Sequence, residues 1–259
     1  MRIARYAVGG QVHYGELSDD DSKIARLEGS PFIDEVRLSG DVDEVGDARI
    51  LAPVERPRVF GLAYNYASHV TETAKEKPEI PVLFMKPSTA VIGTGEPIVY
   101  PSGGELVHFE GELVVVVGWR ARHVAAADAH AYILGYTCGN DVSDRILQRK
   151  EARFGTLLAG KGYDTFAPLG PVIATGVDPS GLALETRVNG TVRQAAGTAD
   201  LLFSVPDIIE YLTRHITLLP GDVIMTGTPS GVGPIQPGDD IEVEIEGIGV
   251  LRNTVVAED

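Results

Sequence analysis

Apolar and polar residues alternate along this chain in short stretches, and glycine or proline separates the stretches at close intervals. Such a pattern predicts many strands of few residues joined by tight turns, with few helices. One stretch departs from the alternation. Leu113-Val114-Val115-Val116-Val117 is wholly apolar and reads as a strand buried on both faces. It continues from Val107-His108-Phe109-Glu110-Gly111-Glu112, so the expected strand is entered through two carboxylates. Side chains two apart in a strand project to the same side, so Glu110 and Glu112 are expected to converge. Two anions at a core boundary repel, which calls for a protonated carboxyl or a cation between them. The alternative is a strand that simply leaves the core there, with both acids solvated.

The rest of the chain supplies further candidates. Residues 3–8 and 12–17 alternate around Gly9-Gly10, a hairpin signal, and Asp19-Asp20-Asp21 reads as a solvated turn. Pro53 and Pro57 mark a connector, which divides a small β-rich cap, residues 1–55, from a main body, residues 56–259. The body opens with a short strand at 59–62 and a helix starting near Asn65, which places His69 and Glu72 on one helical face. A Glu beside an imidazole fixes its tautomer and makes a general base; the same spacing also serves a plain surface contact. The polar segment 73–79, bounded by Pro78 and Pro81, has the composition of a lid. The strand at 82–86 delivers Lys86, a candidate anion contact, and with 97–100 and 107–118 it suggests an antiparallel core. The apolar run at 132–140 ends in Asp141, a third carboxylate. A helix over 143–150 puts Arg145 and Gln148 on one face, and Gly160-Lys161-Gly162 presents a lysine on a flexible backbone. Asn189-Gly190 is a two-residue hairpin signal, and Ser204 with Asp207 forms a capping box before a helix. The glycine-rich loop at 227–233 lacks the Gly-Lys-Ser/Thr ending of a phosphate-binding loop.

Charge narrows the function. A net charge of −15 repels phosphate backbones, which excludes nucleic acid and obliges any anionic substrate to find a local positive site. Cys138 is the single cysteine, so no intramolecular disulfide forms, and no Cys/His cluster has zinc spacing. No apolar run reaches the roughly 18 residues a membrane span needs, and the start has no long apolar segment. A soluble, cytoplasmic protein is the expectation.

Taken together, Tyr64-Asn65-Tyr66 with His69 and Glu72, Phe84-Met85-Lys86-Pro87-Ser88, Phe109-Glu110-Gly111-Glu112-Leu113, Gly139-Asn140-Asp141-Val142-Ser143, Gly160-Lys161 and Thr226-Gly227-Thr228-Pro229 closely resemble the fumarylacetoacetate hydrolase family, in order from about residue 58 to 256. The short cap is similar to that of its compact members: acylpyruvate hydrolases, oxaloacetate decarboxylases and isomerase/decarboxylases of aromatic catabolism. The resemblance implies a mixed α+β fold, predominantly β, a rolled β-sandwich with peripheral helices, assembled as a homodimer. It implies a divalent metal, Mg2+ with Mn2+ or Ca2+ as alternatives, held by Glu110, Glu112 and Asp141. An all-oxygen set of this kind suits hard cations. His69 and Glu72 match a water-activating dyad, Lys161 a lysine near the metal, Arg145 and Gln148 substrate-facing positions, and Thr228 a loop that holds a substrate carboxylate. Many relatives carry Ser after the lysine, where this chain has Gly162.

The activity so implied is metal-dependent chemistry on 2-oxo or 2,4-dioxo acids through a metal-bound enolate, by C–C hydrolysis or by decarboxylation. The alternative within the family is isomerisation of 2-hydroxyhepta-2,4-diene-1,7-dioate, with or without decarboxylation of a related tricarboxylate. A non-catalytic, metal-stabilised binding protein is the reading from another class. The complete dyad and Lys161 argue against it, because a structural ion needs no base beside it.

Overall fold

The computed structural model describes residues 1–33, 35–72 and 76–258. Its central strand, Gly111–Val117, is buried at every position. It pairs with Ile133–Asn140 on one side and with Val223–Met225 on the other. From this centre the main sheet extends to twelve strands. One direction ends at the edge strand Val82–Lys86; the other runs through Ala167–Ala174 into the first four strands of the chain. A five-stranded sheet, built on the hairpin Ala183–Val188 and Thr191–Gly197, lies against it. Leu184, Val243, Ile245 and Leu251 of that sheet share a core with Leu113, Val115 and Cys138 of the first. The result is predominantly β, as the short alternating stretches predict, in the rolled sandwich that the resemblance implies.

Local sequence explains the turns. Gly9 and Gly10 both adopt positive φ, as a two-residue turn between Arg2–Val8 and Gln11–Leu17 requires, and Asn189 and Gly190 do the same between their strands. The helices are peripheral: α1 (Ala67–Glu72), α2 (Arg145–Ala152), α3 (Ala159–Gly162) and α4 (Val205–His215). The expected capping box is present on α4, where Ser204 and Asp207 bond each other's backbone N–H. That helix buries Val205, Ile208, Ile209 and Leu212, an apolar stripe at helical spacing worth about 1.5–3 kcal/mol per large side chain.

Three expectations need correction. The run 107–118 is not one strand: the chain leaves Val107–Phe109, which pairs with Ser143–Asp144 and Gly233–Pro234 in a small sheet, and joins the main sheet at Gly111. Glu110 occupies the break. At Gly111 the two sheets approach closely: a Cβ there would lie 2.0 Å from Thr186 Oγ1 of the facing sheet, so the position takes glycine. The core is also not purely antiparallel. Val223–Met225 runs parallel to Val59–Ala63, and Gly249–Ala257 runs parallel to Ile98–Tyr100. These partners are joined by long connections, so no hairpin dictates their direction. Finally, Lys161 does not sit on flexible backbone. It lies on α3, where Gly160 packs against the backbone of α2 and Gly162 packs against Pro87.

The first strand, Arg2–Val8, hydrogen-bonds to Ala167–Ala174 of the main sheet as well as to its own hairpin partner. The N-terminal strands therefore continue the sheet that carries the candidate site. Of the lid-like segment 73–79, residues 73–75 lie outside the described residues. No helix among the described residues is long and apolar enough to cross a membrane.

Candidate active site

Three strand ends meet at the sheet switch. Glu110 stands in the break, Glu112 is the second residue of Gly111–Val117, and Asp141 follows the last residue of Ile133–Asn140. The register Gly111↔Asn140 aligns these ends, and the Asp141 N–H donates to the Glu110 carbonyl at 2.8 Å. One carboxylate oxygen from each of Glu110, Glu112 and Asp141 lies within 4.8 Å of the others, and all three residues are buried. Glu110 and Glu112 converge as expected, although the break takes Glu110 out of the strand on which that expectation rested.

Three cations surround the three acids. The Lys161 ammonium donates to Glu110 Oε2 at 3.1 Å, to Asp141 Oδ2 and to Ser143 Oγ at 3.0 Å. Its charge also lies 4.7 Å from the centre of the Phe84 ring. Arg145 Nη1 meets Glu110 Oε1 at 2.6 Å and Gln148 Oε1 at 3.0 Å. Lys86 approaches from behind. Its ammonium donates to Asp141 Oδ1, to Val142 O at 3.0 Å and to Phe166 O at 2.6 Å, and its side chain is wholly buried. An ammonium has three donors, and all three here have protein acceptors. Lys86 is thus a positioning partner of Asp141 and not an anion contact for substrate.

Burial would raise Glu110, but Arg145, Lys161 and His69 outweigh it and hold that carboxyl low. Glu112 behaves oppositely: burial, then Asp141 and Glu110, push it well above the ordinary carboxylate range. Burial opposes the charge of Lys161, yet Asp141 and Glu110 together raise it above an ordinary lysine. Lys86 is also buried but faces one carboxylate with Lys161 close by, and its pKa falls. The residues present fit a divalent cation. Glu112 Oε1 is a buried acceptor without a hydrogen-bond partner, and the remaining donors of the cluster are carboxylate oxygens of the hard type.

The dyad residues come together as well. His69 and Glu72 on α1 approach to 3.5 Å between Nδ1 and Oε2, with His69 buried and stacked beside Tyr64 at 6.4 Å between ring centres. Glu72 in turn accepts from the Gly231 N–H at 3.2 Å, which ties α1 to the glycine-rich loop. Gln148 reaches the site only through Arg145. The Thr228 hydroxyl is turned inward: it donates to the Gly111 carbonyl at 2.9 Å and accepts from Gln194 Nε2 at 2.8 Å. Its side chain pins the loop to the central strand, and the adjacent Gly227 N–H donates to Glu112 Oε2 at 2.7 Å.

Several contributors were not singled out from sequence. Ser143 receives Lys161 and donates to the Asp141 carbonyl at 3.0 Å. Gln194 accepts from the Gly111 N–H at 3.0 Å while donating to Thr228 and to Pro229 O, and is the one buried residue in the exposed half of its strand. Asn65 clamps Thr226 O and Phe203, and nothing local distinguishes either amide from a surface one. A cavity of about 910 Å³ lies elsewhere, between Tyr14, Phe32, Arg58 and Leu219. It contains none of the candidate residues, and its Arg58–Asp222 and Arg5–Glu55 pairs neutralise each other.

Comparison with known proteins agrees with this geometry. Residues 58–256 match the fumarylacetoacetate (FAA) hydrolase C-terminal family, and residues 1–53 match the Rv2993c-like N-terminal family. Protein Rv2993c of Mycobacterium tuberculosis is 43% identical over 263 residues, spanning 99% of this chain and 98% of its own. Among solved structures, the 5-carboxymethyl-2-hydroxymuconate delta-isomerase from Mycobacterium smegmatis superposes with a TM-score of 0.93 at 44% identity, over 100% of both chains. The maleylpyruvate hydrolase from Sphingobium sp. SYK-6, solved in complex with manganese(II) and pyruvate, superposes with a TM-score of 0.82 at 29% identity, again over 100% of both chains.

Proposed function

Since the chain belongs to the fumarylacetoacetate hydrolase family, we propose that it is a divalent-metal-dependent enzyme acting on 2-oxo or 2,4-dioxo carboxylic acids through an enolate, by C–C bond hydrolysis or decarboxylation. The observation that carries this reading is the charge balance of the cluster. Three buried carboxylates, Glu110, Glu112 and Asp141, face three cations, Lys86, Lys161 and Arg145. Burial and its two acidic neighbours oppose the charge on Glu112, and a divalent ion among the three acids would relieve that repulsion and leave the cluster, with all its groups ionised, positive. A positive site is what an anionic substrate needs from a chain of net charge −15. The maleylpyruvate hydrolase relative, seen with manganese(II) and pyruvate, supports the choice of ion and of acid.

Held by Glu110, Glu112 and Asp141, a magnesium, manganese or calcium ion would supply Lewis acidity toward the carboxylate and keto oxygens of a 2-oxo acid. The chain's own groups do the rest. With a 2,4-dioxo acid, His69, oriented by Glu72, takes a proton from a water that attacks C4; the C3–C4 bond breaks, its electrons enter the pyruvate enolate, and the remaining fragment leaves as an acid. Lys161 places a buried ammonium beside Glu110 and Asp141, where it can stabilise developing negative charge. Arg145 Nη2 is buried without a hydrogen-bond partner and serves as a donor for the substrate, while Gln148 fixes the guanidinium from its other nitrogen. With oxaloacetate, carbon dioxide leaves and no water is needed. In either case the protein acts on a small anionic acid as a homodimer, without nucleic acid or membrane.

A second reading is isomerisation, favoured by the whole-chain likeness to a protein named as a delta-isomerase. There His69 would move a proton from the 2-hydroxyl of an unsaturated dioic acid to a carbon of its conjugated chain as the double bonds shift, and no C–C bond would break. A panel of acylpyruvates, fumarylpyruvate, oxaloacetate and such a dioic acid separates these outcomes by product. Failure of the magnesium-loaded protein to convert any member would overturn the proposal.

A further inference from the structure

Lys161 reaches Glu110 and Asp141 from α3, a helix of four residues. So short a helix does not hold itself together, because nucleation costs more than one turn returns. Leu158, at its N-terminal boundary, offers no side-chain cap. The missing cap comes from α2. The carboxylate of Glu151 accepts from the backbone N–H groups of Leu158 at 3.2 Å, Ala159 at 2.7 Å and Gly160 at 2.9 Å. These are donors that a helix start leaves open.

Glu151 is also out of place by the rules of its own helix. It lies in the last turn of α2, where the helix dipole favours cations, as its neighbours Arg149 and Lys150 satisfy. An acid there is accounted for by what it holds on α3. The packing leaves α3 little alternative position: a Cβ at Gly160 would lie 2.6 Å from Gln148 N, and one at Gly162 would lie 2.9 Å from the Pro87 ring. Arg145 on α2 and Lys161 on α3 grip the two oxygens of Glu110, and Glu151 joins the elements that carry them.

We infer that Glu151 is a positioning residue for the reaction: by holding the start of α3 it fixes the Lys161 ammonium between Glu110 and Asp141. The inference rests on the role of Lys161 given above, and its test separates the two. Amide hydrogen exchange over residues 158–161 is measured in wild type, Glu151→Gln and Glu151→Ala, and turnover in Glu151→Ala, Lys161→Ala and the double variant. Glu151→Ala should speed exchange at these amides at least tenfold and lower kcat by about 10- to 100-fold, as a displacement near 1 Å can do. Glu151→Gln, which keeps one acceptor oxygen, should fall between. In the Lys161→Ala background, Glu151→Ala should cost nothing further, because a residue acting through Lys161 has nothing left to position. Where Lys161→Ala has no measurable turnover, the same cycle is read in Mn2+ affinity. Unchanged exchange in Glu151→Ala, or an equal loss with and without Lys161, would overturn the inference. If no 2-oxo acid is turned over by wild type, the exchange and Mn2+ measurements still decide it, and only the functional proposal fails.

Discussion

Lys86 and Asp141 form an ion pair from which solvent is excluded on both sides, and the lysine's other donors go to the carbonyls of Val142 and Phe166. Removing one partner of a buried pair leaves the other charge uncompensated, which commonly costs about 3–5 kcal/mol. Lys161 still meets the other oxygen of Asp141, so Lys86→Met, which keeps the bulk of the side chain, is expected to lower stability by about 1–3 kcal/mol in the metal-free protein, chiefly through the acceptors left without a donor. A divalent cation supplies positive charge to the same carboxylate, so saturating Mg2+ or Mn2+ should recover part of the loss. Denaturant unfolding with and without metal checks this; a variant as stable as wild type without metal would show that Lys86 does not compensate Asp141.

The dyad separates two chemistries. Hydrolysis of an acylpyruvate needs a nucleophilic water, so His69→Ala should lower it by about 10²–10⁴-fold, the range that positioned bases supply. Decarboxylation of oxaloacetate needs no water and should largely survive, with Glu72→Gln showing a weaker form of the same split. Michaelis constants for both substrates reveal any shared binding defect. Equal loss of both reactions, with metal affinity and substrate binding intact, would contradict the assignment of His69 as the base.

The N-terminal strands offer a test of pH dependence away from the site. Asp43 accepts from the Tyr6 hydroxyl at 2.5 Å and from two nitrogens of Arg26. The Tyr6 bond foremost, then Arg26, hold its carboxyl below the ordinary range against the effect of burial. A depressed folded pKa means that the contribution is complete above the unfolded value, about 4, and is lost as pH falls through the folded one. Asp43→Asn should thus cost about 1–3 kcal/mol at pH 7, and its gap to wild type should narrow below pH ~4. A gap of constant size from pH 7 to pH 3 would contradict the pairing.

What could be read from sequence was what local chemistry decides. The Gly9-Gly10 and Asn189-Gly190 turns and the Ser204–Asp207 cap depend on neighbours within a few residues, and each appears as expected. The convergence of Glu110 and Glu112 was expected from strand parity and is present, although Glu110 stands outside the strand. What escaped depends on distant partners. The need for glycine at 111, beside the break, comes from Thr186 across the sandwich, and the direction of Lys86 from Asp141 and the carbonyls of Val142 and Phe166. The helical turn beneath Lys161 depends on a carboxylate from the preceding helix, so Gly-Lys-Gly alone read as flexible.

The central claim is that Glu110, Glu112 and Asp141 hold a divalent cation on which turnover of a 2-oxo acid depends. Its most direct test is the rate of pyruvate formation from an acylpyruvate and from oxaloacetate by chelator-stripped protein, before and after Mg2+ or Mn2+ is returned, with folded Asp141→Asn alongside. The account predicts background rates in the stripped protein, recovery of at least one activity on adding metal, and no recovery in Asp141→Asn. Full turnover by the stripped protein, or full metal-restored turnover in Asp141→Asn, would contradict it.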